Sequence, residues 1–214
     1  MKILFEDSEI IVCVKPQGIL SQTDSKGSNS MVTLLEEYCG ITVFPLHRLD
    51  REVGGVMIYA KTKFSASVLS RDISEHNFKK EYIALVHGKP LENSGEMRDL
   101  LFKDSFKNKS FVVKRERKGV KEAVLEYEVV CSVFENTQEF SVVKVLLHTG
   151  RTHQIRVQFA SRKMPLCGDK KYGARDDFKE IGLWSYSISF NHPKTRKRLT
   201  FWQEPQNIIA KYKK

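Results

Sequence analysis

The sequence predicts an α+β fold: a central mixed, mostly antiparallel sheet with flanking helices. Three observations lead there. Short apolar runs of strand length outnumber helix-period stretches. The strand–helix rhythm is too irregular for a doubly wound parallel sheet. One run, EAVLEYEVV at 122–130, alternates as a half-exposed antiparallel strand does. The 214 residues suffice for one sizeable core, or for two sub-lobes sharing a central layer.

Taken in order, IIVCV at 10–14 reads as a buried strand, ended by Lys15-Pro16 and turned by Gln17-Gly18. Residues 21–30 are polar and loop-like. Residues 31–38 carry apolar groups at helical spacing, with Ser30 placed to cap and Gly40 to stop the helix. Residues 41–54 are polar without clear period, and Gly54-Gly55 reads as a tight turn into a strand at 56–60. Phe64, Val68, Leu69 and Ile73 mark one face of a second helix. EYIALV at 81–86 is a strand, and 89–110 reads as a loop or insert. In 122–130, Ala123, Leu125, Tyr127 and Val129 share a face opposite Glu122, Glu126 and Glu128. Residues 139–147 are apolar on both faces, as in a central strand; 183–190 and 198–202 are further strands. No linker or fixed-period repeat divides the chain, so 1–214 reads as a single domain with room for two sub-lobes.

Lys and Arg number 36 against 26 Asp and Glu, a net charge of +10 that favours a polyanionic partner. The four cysteines form no C-x-x-C pair and read as free thiols of a reducing compartment, which places the protein in the cytoplasm. The start shows no signal-peptide pattern, and no apolar run reaches membrane-spanning length. Lys103, Lys107, Lys109, Lys114, Arg115, Arg117, Lys118 and Lys121 crowd one segment. They fit a phosphate-contacting loop, for which Lys114, Arg115, Arg117 and Lys118 are the candidates, and equally a solvated turn. From Ser141 to Gly168 there is no acid, while Lys144, Arg151, Arg156, Arg162 and Lys163 all appear. Lys211, Lys213 and Lys214 add a basic tail.

Two polar clusters interrupt apolar surroundings: PLHRLDREVGG at 45–55 and LLHTGRTHQIRVQF at 146–159. The first offers Asp50 between Arg48 and Arg51; the second offers Arg151, His153, Gln154 and Arg156 just after a strand. Neighbouring arginines favour an ionised aspartate, which suits a nucleophile or charge stabiliser better than a general acid. An aspartate that merely pins loops by salt bridges fits the same residues. A metal on His47, His148, His153 and Asp50 matches no zinc spacing and faces nearby arginines, so no metal is expected. No phosphate-binding glycine loop occurs, and no ATP, NAD or other cofactor is implied.

HRLD, TGRTHQIRV and PLCGDKKYG, in this order, resemble the RluA-type pseudouridine synthase family. EDSEIIVCVKPQGI, KKEYIALVHG and SISFNHPKTRK are similar to further motifs of that family, so the resemblance runs from about residue 4 to residue 203. It implies a stand-alone catalytic domain without an N-terminal S4 domain, and a pseudouridine synthase fold with an active-site cleft. The implied reaction isomerises uridine in a structured rRNA or tRNA, without cofactor, metal, membrane or obligate protein partner. By position, Asp50 would be the nucleophile, Tyr82 the base-stacking tyrosine and Arg156 the partner of the aspartate. Arg48 would fill the gap left by the flipped nucleotide, and Leu49 and Ile155 would pack near the base, with Arg151, His153 and Gln154 as further RNA contacts. The physics suits these roles: a stacked uridine must be flipped to be reached, and an aromatic side chain holds an unstacked base. Val53-Gly54-Gly55, Gln158 and Trp184 depart from the family's usual residues and mark a divergent subgroup. Two other readings remain: a basic RNA-binding module without catalysis, and a hydrolase using Asp50 on a phosphorylated metabolite.

Overall fold

The computed structural model describes every residue except Lys26, Asn136 and Lys214, so Lys214 of the basic tail lies outside the described residues. Strands β1 (Lys2–Glu6) and β2 (Ile10–Lys15) lead to helix α1 (Met31–Cys39), the short β3 (Phe44–Pro45), β4 (Gly54–Ala60) and helix α2 (Lys63–Ser74). Strands β5 (Lys79–His87), β6 (Ser94–Asp104), β7 (Lys109–Val113), β8 (Val120–Glu135) and β9 (Gln138–Leu147) precede helix α3 (Gln154–Ser161). A 3-10 turn at Lys170–Tyr172, strands β10 (Leu183–Asn191) and β11 (Arg198–Trp202) and helix α4 (Ile209–Tyr212) complete the chain. Two compact units result: Met1–Lys80 with Trp184–Glu204, and Glu81–Leu183 with Pro205–Lys214.

In the first unit β2 pairs antiparallel with both β1 and β4, and β4 takes β10 in parallel at Trp184 and Ser185. β11 folds back antiparallel on β10. The sheet is therefore mixed, as the sequence predicts. Ile10, Val12, Val56 and Ile58 pack with Leu69 of α2 and with Phe78, Ile188 and Phe190. Both helix caps behave as read from the sequence: Ser30 accepts from the Thr33 amide, and Gly40 closes α1 at φ 68°. Phe64 departs from expectation. It lies exposed, and α2 buries Ser65, Leu69 and Asp72 instead, with the Ser65 hydroxyl donating inward to Glu9.

Gly54 and Gly55 form no turn. They lie inside β4, flush against β10, where a Cβ on Gly54 would come within 2.5 Å of the Trp184 ring. Gly55 sits at φ +123°, and its Cβ would meet the Ser185 carbonyl oxygen at 2.2 Å. These glycines permit close approach of two strand backbones.

In the second unit β8 is antiparallel to β6 and β9, and β6 to β7. Here the reading of 89–110 as a loop or insert is corrected. β6 spans Ser94–Asp104 and pairs with β8 from Ser94↔Glu128 to Phe102↔Val120. Its inward face is thin: Met97 and Leu101 are buried, while charged residues fill most other positions, so apolar periodicity is weak. Among the described residues no helix is long and apolar enough to cross a membrane.

Candidate active site

Asp50 stands on the connection that enters β4, and the segment that leaves β2 holds that connection in place. Lys15, the last residue of β2, is fully buried. Its ammonium donates to the carbonyl oxygens of Ile19 at 2.6 Å, Pro16 at 3.0 Å and Arg51 at 3.2 Å. Burial depresses its pKa to about 8, opposed by the nearby charges of Asp50 and Glu52. Ser21 brackets Leu49, with its hydroxyl donating to the Leu49 carbonyl at 2.9 Å and accepting from the Leu49 amide at 3.0 Å. The buried Tyr59 hydroxyl in turn donates to the Ser21 carbonyl at 2.9 Å. Gly18 and Arg51 exchange bonds in both directions, and the Val53 amide closes a turn on the Asp50 carbonyl. The backbone on either side of Asp50 is thus fixed, while Asp50 is half-buried and Arg48 exposed. The His47 ring packs against Phe78, with both its nitrogens buried and unpartnered. Burial pulls its pKa down to about 3, so it is neutral packing beneath the loop.

In the second unit, TGRTHQIR forms a loop and the first turn of α3. Gln154 is the hub of that loop: its side-chain oxygen accepts from the Thr149 hydroxyl at 2.8 Å and the Arg151 amide at 3.0 Å. Its side-chain nitrogen donates to the Val124 carbonyl at 3.1 Å. Gln154 is buried and engaged with the protein at both ends of its amide, so it shapes the loop. His153 takes the left-handed conformation at φ 53°, turning the chain into the helix, and its Nδ1 lies 3.0 Å from the Tyr172 hydroxyl. Arg156 is buried and forked by Asp169, Nε to Oδ2 at 2.7 Å and Nη2 to Oδ1 at 2.8 Å, with its guanidinium over the Tyr172 ring. Two parallel charge-assisted bonds fix the orientation of the guanidinium plane. Farther along, Gln158 of α3 and its C-cap residue Arg162 both bind Asp99 of β6, strapping the helix to the sheet.

Residues 9–161 match the family model described as RNA pseudouridylate synthase. The chain belongs to that family. It is 32% identical to a ribosomal large subunit pseudouridine synthase C of Buchnera aphidicola, over 92% of this chain and 65% of that one. It is 29% identical to a tRNA pseudouridine synthase C of Haemophilus influenzae, over 97% of each chain. The fold is similar to that of human RNA pseudouridylate synthase domain containing 1, with a TM-score of 0.81 over 95% of this chain and 83% of that one, at 19% identity. This likeness bears out the α+β reading of the fold.

As a synthase-family chain, the protein carries its motif residues in two groups. Arg48, Leu49 and Asp50 lie in the first unit; Tyr82, Arg151, His153, Gln154, Ile155 and Arg156 lie in the second. Tyr82 is a buried residue of β5, and Ile155 is buried in α3. The Arg151 Nε donates to the Glu122 carbonyl at 2.8 Å, which ties it to the start of β8. Lys114, Arg115, Arg117 and Lys118 are all exposed between β7 and β8, with Arg117 stacked over Phe102. His148 pairs with Glu126.

Lys15, Ser21, Asp169 and Tyr172 went unsingled in the sequence. The signals were there. Lys15 is a lysine closing an otherwise apolar strand, and Asp169 is the first acid after the long acid-free stretch.

Proposed function

We propose that this protein isomerises a uridine of a structured RNA to pseudouridine, with Asp50 as nucleophile, Tyr82 stacking on the flipped base and Arg156 as a further catalytic residue. The observation that carries the reading is the held Asp50 connection in a chain of the synthase family: a nucleophile that must meet one ring atom needs a backbone that does not move. An ionised Asp50 can attack the sugar C1′ or the uracil C6, or remove the 2′ proton to give a glycal. In each route the N1–C1′ bond breaks, the uracil rotates and a C5–C1′ bond forms in its place. The C5 hydrogen departs as a proton, and the overall change is an isomerisation that needs no co-reactant. An Arg156 held by Asp169 is a preorganised charge, which supports catalysis without reorganisation at the moment of reaction.

RNA is the substrate class. Relatives named for ribosomal and for transfer RNA both match, and a stem-loop of either is the proposed target. Arg48, Leu49, Ile155, Arg151 and His153 are proposed to contact the RNA, and Lys114, Arg115, Arg117 and Lys118 its phosphates. The protein would act in the cytoplasm without an obligate protein partner, as a single catalytic domain. Incubation with RNA tritiated at uracil C5 tests the reading: tritium release is expected. RNA binding with no release would instead make the chain a non-catalytic RNA-binding module.

A further inference from the structure

His87, Cys167 and Asp176 converge within the second unit, outside every residue given a role above. Their ligand atoms lie within 4.8 Å of one another. We propose that these three residues form a binding site for a single divalent cation of the zinc class, held by His87 Nε2, Cys167 Sγ and an Asp176 carboxylate oxygen.

The backbone beneath the three side chains is fixed before any ion arrives. The His87 amide donates to the Pro165 carbonyl at 3.0 Å, and the Cys167 amide to the Leu85 carbonyl at 2.9 Å, so the end of β5 and segment 165–167 are laced together. Gly168 sits at φ +73°, where a Cβ would meet the Glu180 carbonyl oxygen at 2.1 Å; only glycine lets the chain turn there toward Asp176. Both Asp176 oxygens accept from the Gly168 amide, at 3.0 and 3.1 Å, and Oδ1 also accepts from Phe178 at 3.1 Å. A ligating carboxylate oriented by outer hydrogen bonds is the usual surrounding of a built metal site.

The chemistry of the set points the same way. Nitrogen, sulfur and oxygen donors together suit a zinc-class ion. The Cys167 thiol is fully buried and makes no hydrogen bond to another residue among the described ones, yet it faces a His–Asp pair. A bound dication would displace the thiol proton to water, and thiolate and carboxylate would then neutralise it. The neutral result removes the penalty that a buried isolated charge carries. His87 and Asp176 lie 2.5 Å apart and would open slightly to admit the ion. The His87 side chain remains 21% exposed, which leaves an approach for a fourth ligand such as water.

Cobalt tests this on the full chain after metal stripping. Co2+ should bind one to one with a thiolate-to-metal charge-transfer band, and Zn2+ should displace it. C167S should abolish the band, C39S should keep it, and H87A and D176N should each weaken binding by at least about tenfold. Zn2+ should also raise the thermal midpoint of wild type and C39S but leave C167S and D176N unmoved. No band in wild type, a band that survives C167S, or an equal thermal shift in all variants would overturn the site. None of these readouts depends on RNA isomerisation.

Discussion

Lys15 shows how one buried cation can govern a neighbouring acid. Its pKa falls on folding, from 10.5 to about 8. Between those values the unfolded chain holds a proton that the folded chain has released. The Lys15 contribution to stability therefore rises as pH climbs from about 8 to 10.5, and is lost below about 8. Activity should run the other way. Three carbonyls need three N–H donors, and a neutral amine has two. We expect turnover to fall above about pH 8 as the connection around Asp50 loosens, and this alkaline limb to vanish in K15R. An identical limb in K15R would assign it to another group. Asp169 is the second residue-scale determinant. Asp169→Asn removes the carboxylate charge that forks the buried Arg156 guanidinium and should cost about 3–5 kcal/mol by denaturant unfolding. A loss within 0.5 kcal/mol, the usual size of an ordinary surface change, would show that the fork carries no load. The sequence marks both positions, Lys15 closing an apolar strand and Asp169 ending an acid-free stretch, but not what they hold, because a lysine or aspartate reads as surface until its burial is known. Asp50 stands out as a candidate through HRLD, a local pattern that needs no tertiary context.

Elements were readable in proportion to the cleanness of their period. Strand β2, helix α1 with both caps and strand β9 follow directly from apolar runs, Ser30 and Gly40. Strand β6 was hidden because its two deeply buried residues are four apart among charges, and its stability comes from pairing with β8, a long-range contact. Gly54-Gly55 reads as a turn because local sequence cannot show that β10 lies against it. Gly55→Ala should destabilise by roughly 2–6 kcal/mol, the sum of a left-handed alanine and a clash with backbone that cannot yield; a thermal midpoint equal to wild type would contradict that packing. The connection between β7 and β8 makes a separate prediction. Replacing Lys114, Arg115, Arg117 and Lys118 by Ser should reduce the log–log salt slope of RNA binding by about 2–4. An unchanged slope would make it an ordinary solvated turn.

At the scale of the molecule, a +10 chain with few helices places its chemistry-bearing motifs in two units rather than in one. Family membership explains the order of the motifs, and the internal bonding explains why each can be rigid on its own. The first unit holds the connection at Asp50 through Lys15 and Ser21; the second holds Arg156 through Asp169. The sequence could show which residues recur together in such a family, but the supports on which they rest emerged only with the fold. The central claim is that the Asp50 carboxylate itself performs the chemistry. The most direct measurement is tritium release from C5-labelled RNA by wild type and by Asp50→Asn, with RNA affinity measured on the same preparations. Release should be abolished in Asp50→Asn while affinity stays within about twofold of wild type, since exposed basic groups supply most of the binding. Normal release by Asp50→Asn would contradict the account.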